Sequence, residues 1–186
     1  MKFLINRKNS ILRRFYPRER AKSTFDINYE DLRERGFKGI VFDIDNTLVG
    51  HDAPANEQAR NLVEKIKELG FAACVVSNNS EKRVKDFAEN LGLLFVFDAK
   101  KPSRKGYRRA MKLMKTNRFN TVSIGDQIFT DVFGANRTGM HSILVSPLAE
   151  KEKKSIKLKR KLEKIVLFFY KREKPDEDNS NKRAEP

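Results

Sequence analysis

From Gly36 to Ser146 the chain alternates short apolar runs with helically spaced stripes, and this alternation constrains the fold more than any other feature. The runs GIVFDI (39–44), FAACVVS (71–77), LLFVF (93–97), TVSI (121–124) and SILVS (142–146) read as five strands. Between the first two, Ala59, Leu62, Val63, Ile66 and Leu69 form a helical stripe closed by Gly70. Ser80 is placed to cap a second helix, with Val84, Phe87, Ala88 and Leu91 inward. Ser103 is placed to cap a third, with Tyr107, Ala110, Met111 and Met114 inward, and QIFTDVFGANRTG (127–139) reads as a fourth. Strand and helix in strict turn, joined by short links, predict an α/β fold: a central parallel sheet with helices on both faces, three layers in all. The strands are apolar throughout rather than alternating, as burial on both faces requires.

Ligands of such sheets bind beyond the carboxyl ends of the strands. The first strand ends in Asp43 and Asp45, followed by Asn46 and Thr47. The second ends in Ser77, Asn78 and Asn79; Lys100-Lys101-Pro102 follows the third; the fourth ends in Gly125-Asp126, with Asp131 five positions on. Folding brings these ends to one edge. Carboxylates gathered there raise one another's pKa unless a cation compensates. An all-oxygen donor set with no Cys or His beside it points to Mg²⁺.

The residue types divide the labour of phosphoryl transfer. Asp43, at the strand end, is the candidate nucleophile, forming an aspartyl-phosphate. Asp45 is the candidate general acid for the leaving oxygen and then base for water. Thr47 would hold the loop, orient Asp45 and stand with the phosphate-binding set. Ser77 and the Asn78 backbone N–H would grip phosphate oxygens, and Lys101 would offset charge growing on the phosphoryl group. The metal set is Asp43, Asp45, Asp126 and Asp131, the last binding through water or holding the lysine. Enzymes accelerate phosphate-monoester hydrolysis by up to ~10²¹. One general acid supplies roughly 10² to 10⁴ and one charge-stabilising donor about 10² to 10³, so a composite site is required.

DIDNT, SNN, KKP and GDQIFTD, in this order, resemble the four motifs of the haloacid dehalogenase-like phosphohydrolases. The whole set, with VFGANRTG after it, looks most like the YqeG-type branch, related to phosphatidylglycerophosphate phosphatases. The resemblance covers about residues 25 to 148. It implies a Rossmann-like core with the nucleophile strand central, and that phospholipid as substrate. The KP match favours Lys101, with Lys100 within the same reach. Cap domains of this superfamily are inserted between the first and second motifs or between the second and third. Asp43 and Ser77 are 34 positions apart, and Ser77 and Lys101 are 24, each gap already filled. A cap is therefore not expected, and the site should be open.

Charge bears on partners. The net charge is +15, and residues 150–174 alone carry 11 basic and 4 acidic side chains. The segment KSIKLKRKLEKIVLFFYKREK places Leu158, Leu162, Ile165, Val166 and Phe169 on one helical face. Near the N-terminus Leu4, Ile11, Leu12 and Phe15 stand against Arg7, Lys8, Arg13 and Arg14. Basic amphipathic helices lie on anionic membrane surfaces, or pack such a stripe on their own core. The organisation expected is a basic amphipathic segment over 1–24, the phosphatase domain over 25–148, a basic amphipathic helix over 149–174 and a disordered polar tail over 175–186.

No apolar run approaches the ~20 residues of a membrane span. The start is basic but broken by charges, unlike a signal peptide. The single cysteine, Cys74, sits in an apolar strand and reads as packing, which suits a reducing cytoplasm, with the inner membrane face as the place of action. The loop from Asp43 is not a calcium loop, because Leu48 and Pro54 stand where that loop needs Gly and Glu. No P-loop is present, and His51 and His141 are too few for a metal site. The alternatives are a soluble phosphatase acting on a nucleotide, sugar phosphate or phosphoprotein, and an RNA- or ribosome-binding factor. Nucleic acid is the less favoured partner, since no recognition motif accompanies the basic flanks.

Overall fold

The computed structural model describes residues 11–148 and the helix Lys154–Glu173, the side chains of that helix from Leu162 onward. The N-terminal stripe residues Leu4, Arg7 and Lys8, the side chain of Leu158 and the tail 175–186 lie outside the described residues.

Six parallel strands form one sheet in the order β1-β6-β5-β2-β3-β4. They are β1 (Glu19–Ala21), β2 (Gly39–Phe42), β3 (Ala72–Val76), β4 (Leu94–Val96), β5 (Thr121–Gly125) and β6 (His141–Val145). The helices are α1 (Tyr29–Glu34), α2 (Glu57–Glu68), α3 (Glu81–Leu91), α4 (Arg104–Met114), α5 (Phe133–Thr138) and α6 (Lys154–Glu173). No inserted cap occurs among the described residues: α2 alone stands between β2 and β3, and α3 alone between β3 and β4.

Alternation along β2 explains why its run is apolar throughout. Ile40 and Phe42 pack with Val63, Ile66, Phe87 and Leu91 from α2 and α3, while Val41 packs with Tyr107, Ala110 and Met111 of α4 on the other face. Both sides of the strand are thus sealed, at about 1.5–3 kcal/mol per large aliphatic side chain. Cys74 lies in the second of these clusters, and burial pushes its thiol up to about 12, which makes it inert packing.

The cap of α3 and the edge of the sheet depart from the sequence reading. Ser80 stands at the N-cap of α3 but makes no side-chain capping bond, whereas the Ser103 hydroxyl accepts from the backbone N–H of Lys105. The edge strand β1 was not expected, because Glu-Arg-Ala has no apolar pattern. It is held by its register on β6 (Arg20 opposite Leu144) and by Glu19, which meets His141 Nε2 at 2.7 Å and Arg35 at 2.5 Å. The side-chain hydrogen bond with His141 first, and then Arg35, against the opposing effect of burial, hold the Glu19 carboxyl down at about 2. A three-residue charged strand at a sheet edge resists pairing with other chains.

The flanks pack partly on the core. Tyr16, Ile128, Val132, Leu144, Val166 and Tyr170 form a third apolar cluster, with Leu12 and Phe15 against it. Ile11 is 74% exposed. Of the face expected on α6, Val166 is buried, but Leu162, Ile165 and Phe169 are exposed. The side that docks is Glu163, Val166, Leu167 and Tyr170, one residue around the helix from the expected stripe.

Candidate active site

Register brings the candidate residues to one level. Phe42 lies opposite Val75 on one side and Ile124 on the other, so the three central strands end together. The backbone N–H of Asp43 still bonds Ile124 at 3.0 Å, and the chain then turns away through Asn46, whose φ is 61°. Asp43 is thereby fixed at the end of a rigid strand rather than on a loose loop.

Lys101 is the centre of the arrangement. Its buried ammonium donates to Asp43 Oδ1 at 2.5 Å and to Asp131 Oδ1 at 2.7 Å. Burial alone would lower this ammonium's pKa, but Asp131 and Asp43 reverse that and hold it well above the ordinary lysine value. Lys100 is elsewhere: its side chain is 77% exposed, with Asp98 3.7 Å away. The positive φ of Lys100, 51°, reverses the backbone between the two lysines, so only Lys101 enters the site. Asn78 fixes it there, its side-chain carbonyl accepting from the Lys101 N–H at 2.7 Å and its amide donating to the Lys101 carbonyl at 3.4 Å.

Asp131 comes to the site on a π-type turn, Ile128–Val132, that leads into α5. Its Oδ2 accepts from the Gln127 N–H at 3.0 Å, and Tyr107 donates to the carbonyls of Thr130 and Asp131 at 3.1 and 3.3 Å. Gly125 is what admits it: a Cβ there would lie 2.5 Å from both Cβ and Cγ of Asp131. Gly125→Ala must push Asp131 off Lys101. The expected outcome is a fall in turnover of about 10²-fold with a raised metal requirement, checked by steady-state kinetics across metal concentrations.

Carboxylate oxygens of Asp43, Asp126 and Asp131 all lie within 4.8 Å of one another, with Asp126 and Asp131 buried. Oxygen donors only, with one lysine between two of them, fit a hard divalent cation. Asp45 stands just outside this triad. Its Oδ2 accepts from Asn79 Nδ2 at 2.5 Å, and its Oδ1 accepts from the Asp52 N–H at 2.9 Å, with Arg83 at 3.4 Å. Thr47 does not orient it. The Thr47 hydroxyl is fully buried and has no hydrogen-bond partner among the described residues. Ser77 is buried, its hydroxyl accepting from the Asn79 N–H at 3.2 Å.

Asn79, Arg83 and Tyr107 were missed as functional residues. Asn79 is visible in SNN, but only folding shows which amide reaches Asp45. Arg83 looks like any solvated helix charge, yet it donates to the Ala53 carbonyl at 2.5 Å and so ties the loop after Asp45 to α3. His51, which with His141 makes too few histidines for a metal site by sequence, stands with Nδ1 4.0 Å from Asp45.

Burial pushes the Asp43 carboxyl up to about 6; Lys101 opposes this and Asp131 adds to it. The folded protein therefore keeps a proton that the unfolded chain loses near 4, and stability falls as pH rises from about 4 through 6. Asp43→Asn lacks this titration. In chelator, the stability of the variant relative to the parent should rise as pH rises through that window, read from denaturant midpoints against pH.

This parallel sheet, with acidic strand ends around one buried lysine, matches known proteins. A family described as "haloacid dehalogenase-like hydrolase" matches residues 40–99, and one described as "HAD-hyrolase-like" matches residues 99–161. The chain belongs to the haloacid dehalogenase-like hydrolases and, within them, to the YqeG-type branch. It is 43% identical to "Probable phosphatase YqeG" of Bacillus subtilis, over 85% of this chain and 92% of that protein. It is 26% identical to "Phosphatidylglycerophosphate phosphatase 1, chloroplastic/mitochondrial" of Arabidopsis thaliana, over 84% of this chain but 47% of that longer protein. In structure it resembles an uncharacterized protein from Listeria monocytogenes serotype 4b, with a TM-score of 0.52 and 19% identity over 63% of this chain and 85% of that one, a likeness of fold.

Proposed function

We propose that the protein is a Mg²⁺-dependent phosphomonoester hydrolase working through an aspartyl-phosphate, with a membrane phospholipid, phosphatidylglycerophosphate, as substrate. The observation that carries the reading is the Lys101 ammonium between Asp43 and Asp131, with Asp126 alongside. In such an arrangement the ammonium aims the carboxylate, opposes its protonation and neutralises incoming phosphate charge.

Asp43 attacks phosphorus through a carboxylate oxygen, and the bond from phosphorus to the leaving alcohol oxygen breaks. Asp45 gives that oxygen a proton, then takes one from the water that attacks the phospho-enzyme, and inorganic phosphate leaves as Asp43 is restored. Ser77 and the Asn78 N–H hold the phosphate oxygens; Lys101 offsets their charge. Asp43, Asp126 and Asp131, with Asp45 adjoining, would hold Mg²⁺, which when bound screens the carboxylates and polarises the phosphoryl group. Thr47 supports the loop through its backbone, donating to the Ile44 carbonyl at 3.2 Å.

The lipid substrate is supported by three features. The Arabidopsis relative bears that activity in its name. No cap covers the site among the described residues. The flank over 150–174 has a net charge of +7, which favours an anionic surface. No helix among the described residues is long and apolar enough to cross a membrane, so contact with a bilayer would be peripheral. A substrate panel with Mg²⁺ tests this. Phosphatidylglycerophosphate in anionic vesicles should be hydrolysed with a kcat/KM at least about tenfold above those for nucleoside monophosphates, sugar phosphates and a phosphopeptide. Preference for a soluble ester would replace the lipid with that class. Salt-sensitive RNA binding with no ester hydrolysed would replace the enzyme reading altogether.

A further inference from the structure

α6 has two faces with different tasks. The inner face carries Glu163, Val166 and Tyr170, all buried. Glu163 Oε1 accepts from the Ile128 N–H at 2.7 Å. Ile128 opens the π-type turn, two residues after Asp126 and three before Asp131. The helix therefore grips the segment that carries both aspartates. A cleft of about 180 Å³ lies at this junction, lined in part by Asp126, Ile128, Glu163, Lys164 and Arg20.

The outer face is apolar and exposed, with none of the described residues packed over it. Leu162, Ile165, Phe168 and Phe169 are 51%, 55%, 58% and 36% exposed. Exposed cations, Lys164, Lys171 and Arg172, stand among them, and the Arg172 guanidinium lies 5.7 Å from the Phe168 ring. Four large apolar side chains on a basic helix suit an interface with apolar depth and negative charge, and a bilayer of anionic lipid offers both. Nucleic acid offers the charge but no place for Leu162 and Ile165.

We propose that α6 is the anionic-membrane docking element and that Glu163 ties it to the active site, so that docking places the carboxyl edge of the sheet at the lipid surface. The proposal deepens the phosphatase reading by naming the surface that meets the membrane and the residue that links it to the metal-binding segment. Glu163 is a positioning residue. It acts through the Ile128 N–H on the placement of Asp126 and Asp131.

The test uses the full chain and two readouts. The first is sedimentation with phosphatidylcholine vesicles, with and without phosphatidylglycerol, and needs no activity. The protein should sediment only with the anionic vesicles. Ile165→Ser with Phe168→Ser should weaken that binding by on the order of tenfold or more while leaving hydrolysis of p-nitrophenyl phosphate in vesicle-free buffer unchanged. Equal binding to neutral vesicles, or undiminished binding by the double variant, overturns the docking surface. RNA binding in place of vesicle binding overturns it as well. The second readout is the Mg²⁺ concentration for half-maximal hydrolysis of p-nitrophenyl phosphate. Glu163→Ala should raise it several-fold with vesicle binding intact, and Glu163→Gln, which keeps an accepting oxygen, should restore it. An unchanged Mg²⁺ requirement in Glu163→Ala overturns the link. A parent protein that binds anionic vesicles but hydrolyses no ester, with or without Mg²⁺, would defeat the phosphatase reading and the link to it, while leaving the docking surface standing.

Discussion

Asp43→Asn abolishes turnover, by about 10⁴-fold or more, and leaves the protein folded. The amide has nearly the same shape, and its oxygen can still accept from Lys101 at the position where Asp43 Oδ1 now lies at 2.5 Å. It is not a nucleophile toward phosphorus. Asp45 is turned toward Asn79, Asp52 and Arg83, so it cannot take over without leaving those partners. The stability effect runs in the opposite direction. Burial has raised the Asp43 carboxyl to about 6, so its charge at neutral pH opposes folding in the absence of metal. The inactive variant should therefore melt no lower than the parent in chelator at pH 7, an active-site residue kept at the expense of stability. Phosphate release and a thermal melt on one preparation check both halves. Residual turnover within tenfold of the parent would reject Asp43 as the nucleophile.

Lys101→Met gives the second large effect, and here activity and stability fall together. The side chain is 5% exposed and stands between two buried carboxylates. Removing one member of such a buried group typically costs about 3–5 kcal/mol, because the remaining charges are left uncompensated. Methionine preserves much of the volume, so packing loss is small. The sign with pH follows from the charges. Without the ammonium, which now opposes the effect of burial, the folded state favours protonated Asp43 still more, and the unfolded chain does not. The deficit should be largest at neutral pH in chelator and shrink as pH falls toward about 4. Mg²⁺ at saturation should restore part of the stability by binding the folded site. It should not restore turnover, which should fall by about 10² to 10³. Denaturant titrations at several pH values, with and without Mg²⁺, give the answer. A deficit independent of pH would mean that Lys101 serves packing rather than charge.

What was legible in the sequence was legible for physical reasons. β2, β3, β5 and β6 are sealed on both faces, so each left an unbroken apolar run. Their parallel register then brought Asp43, Ser77 and Asp126 to one edge without further information. β1 was illegible because an edge strand of Glu-Arg-Ala is held by register and charge pairs rather than burial. The run LLFVF was read over five residues, but only Leu94–Val96 pairs, and Leu94 is 40% exposed at the far edge. The choice between Lys100 and Lys101 turned on a backbone angle at Lys100 that residue type does not announce. The face of α6 was misjudged for a similar reason. Periodicity shows an apolar side, but Glu163, the single acid between Glu152 and Glu173, marks the side that docks. An acid alone in a run of lysines was the available signal.

A crystal of the protein grown with Mg²⁺ and beryllium fluoride, a mimic of a bound phosphoryl group, tests the central claim most directly. The account predicts beryllium joined to a carboxylate oxygen of Asp43, fluorines against Lys101 and Ser77, and the cation against Asp43, Asp126 or Asp131. Asp43 left bare, with the fluoride complex elsewhere or absent at saturating concentrations, would contradict it.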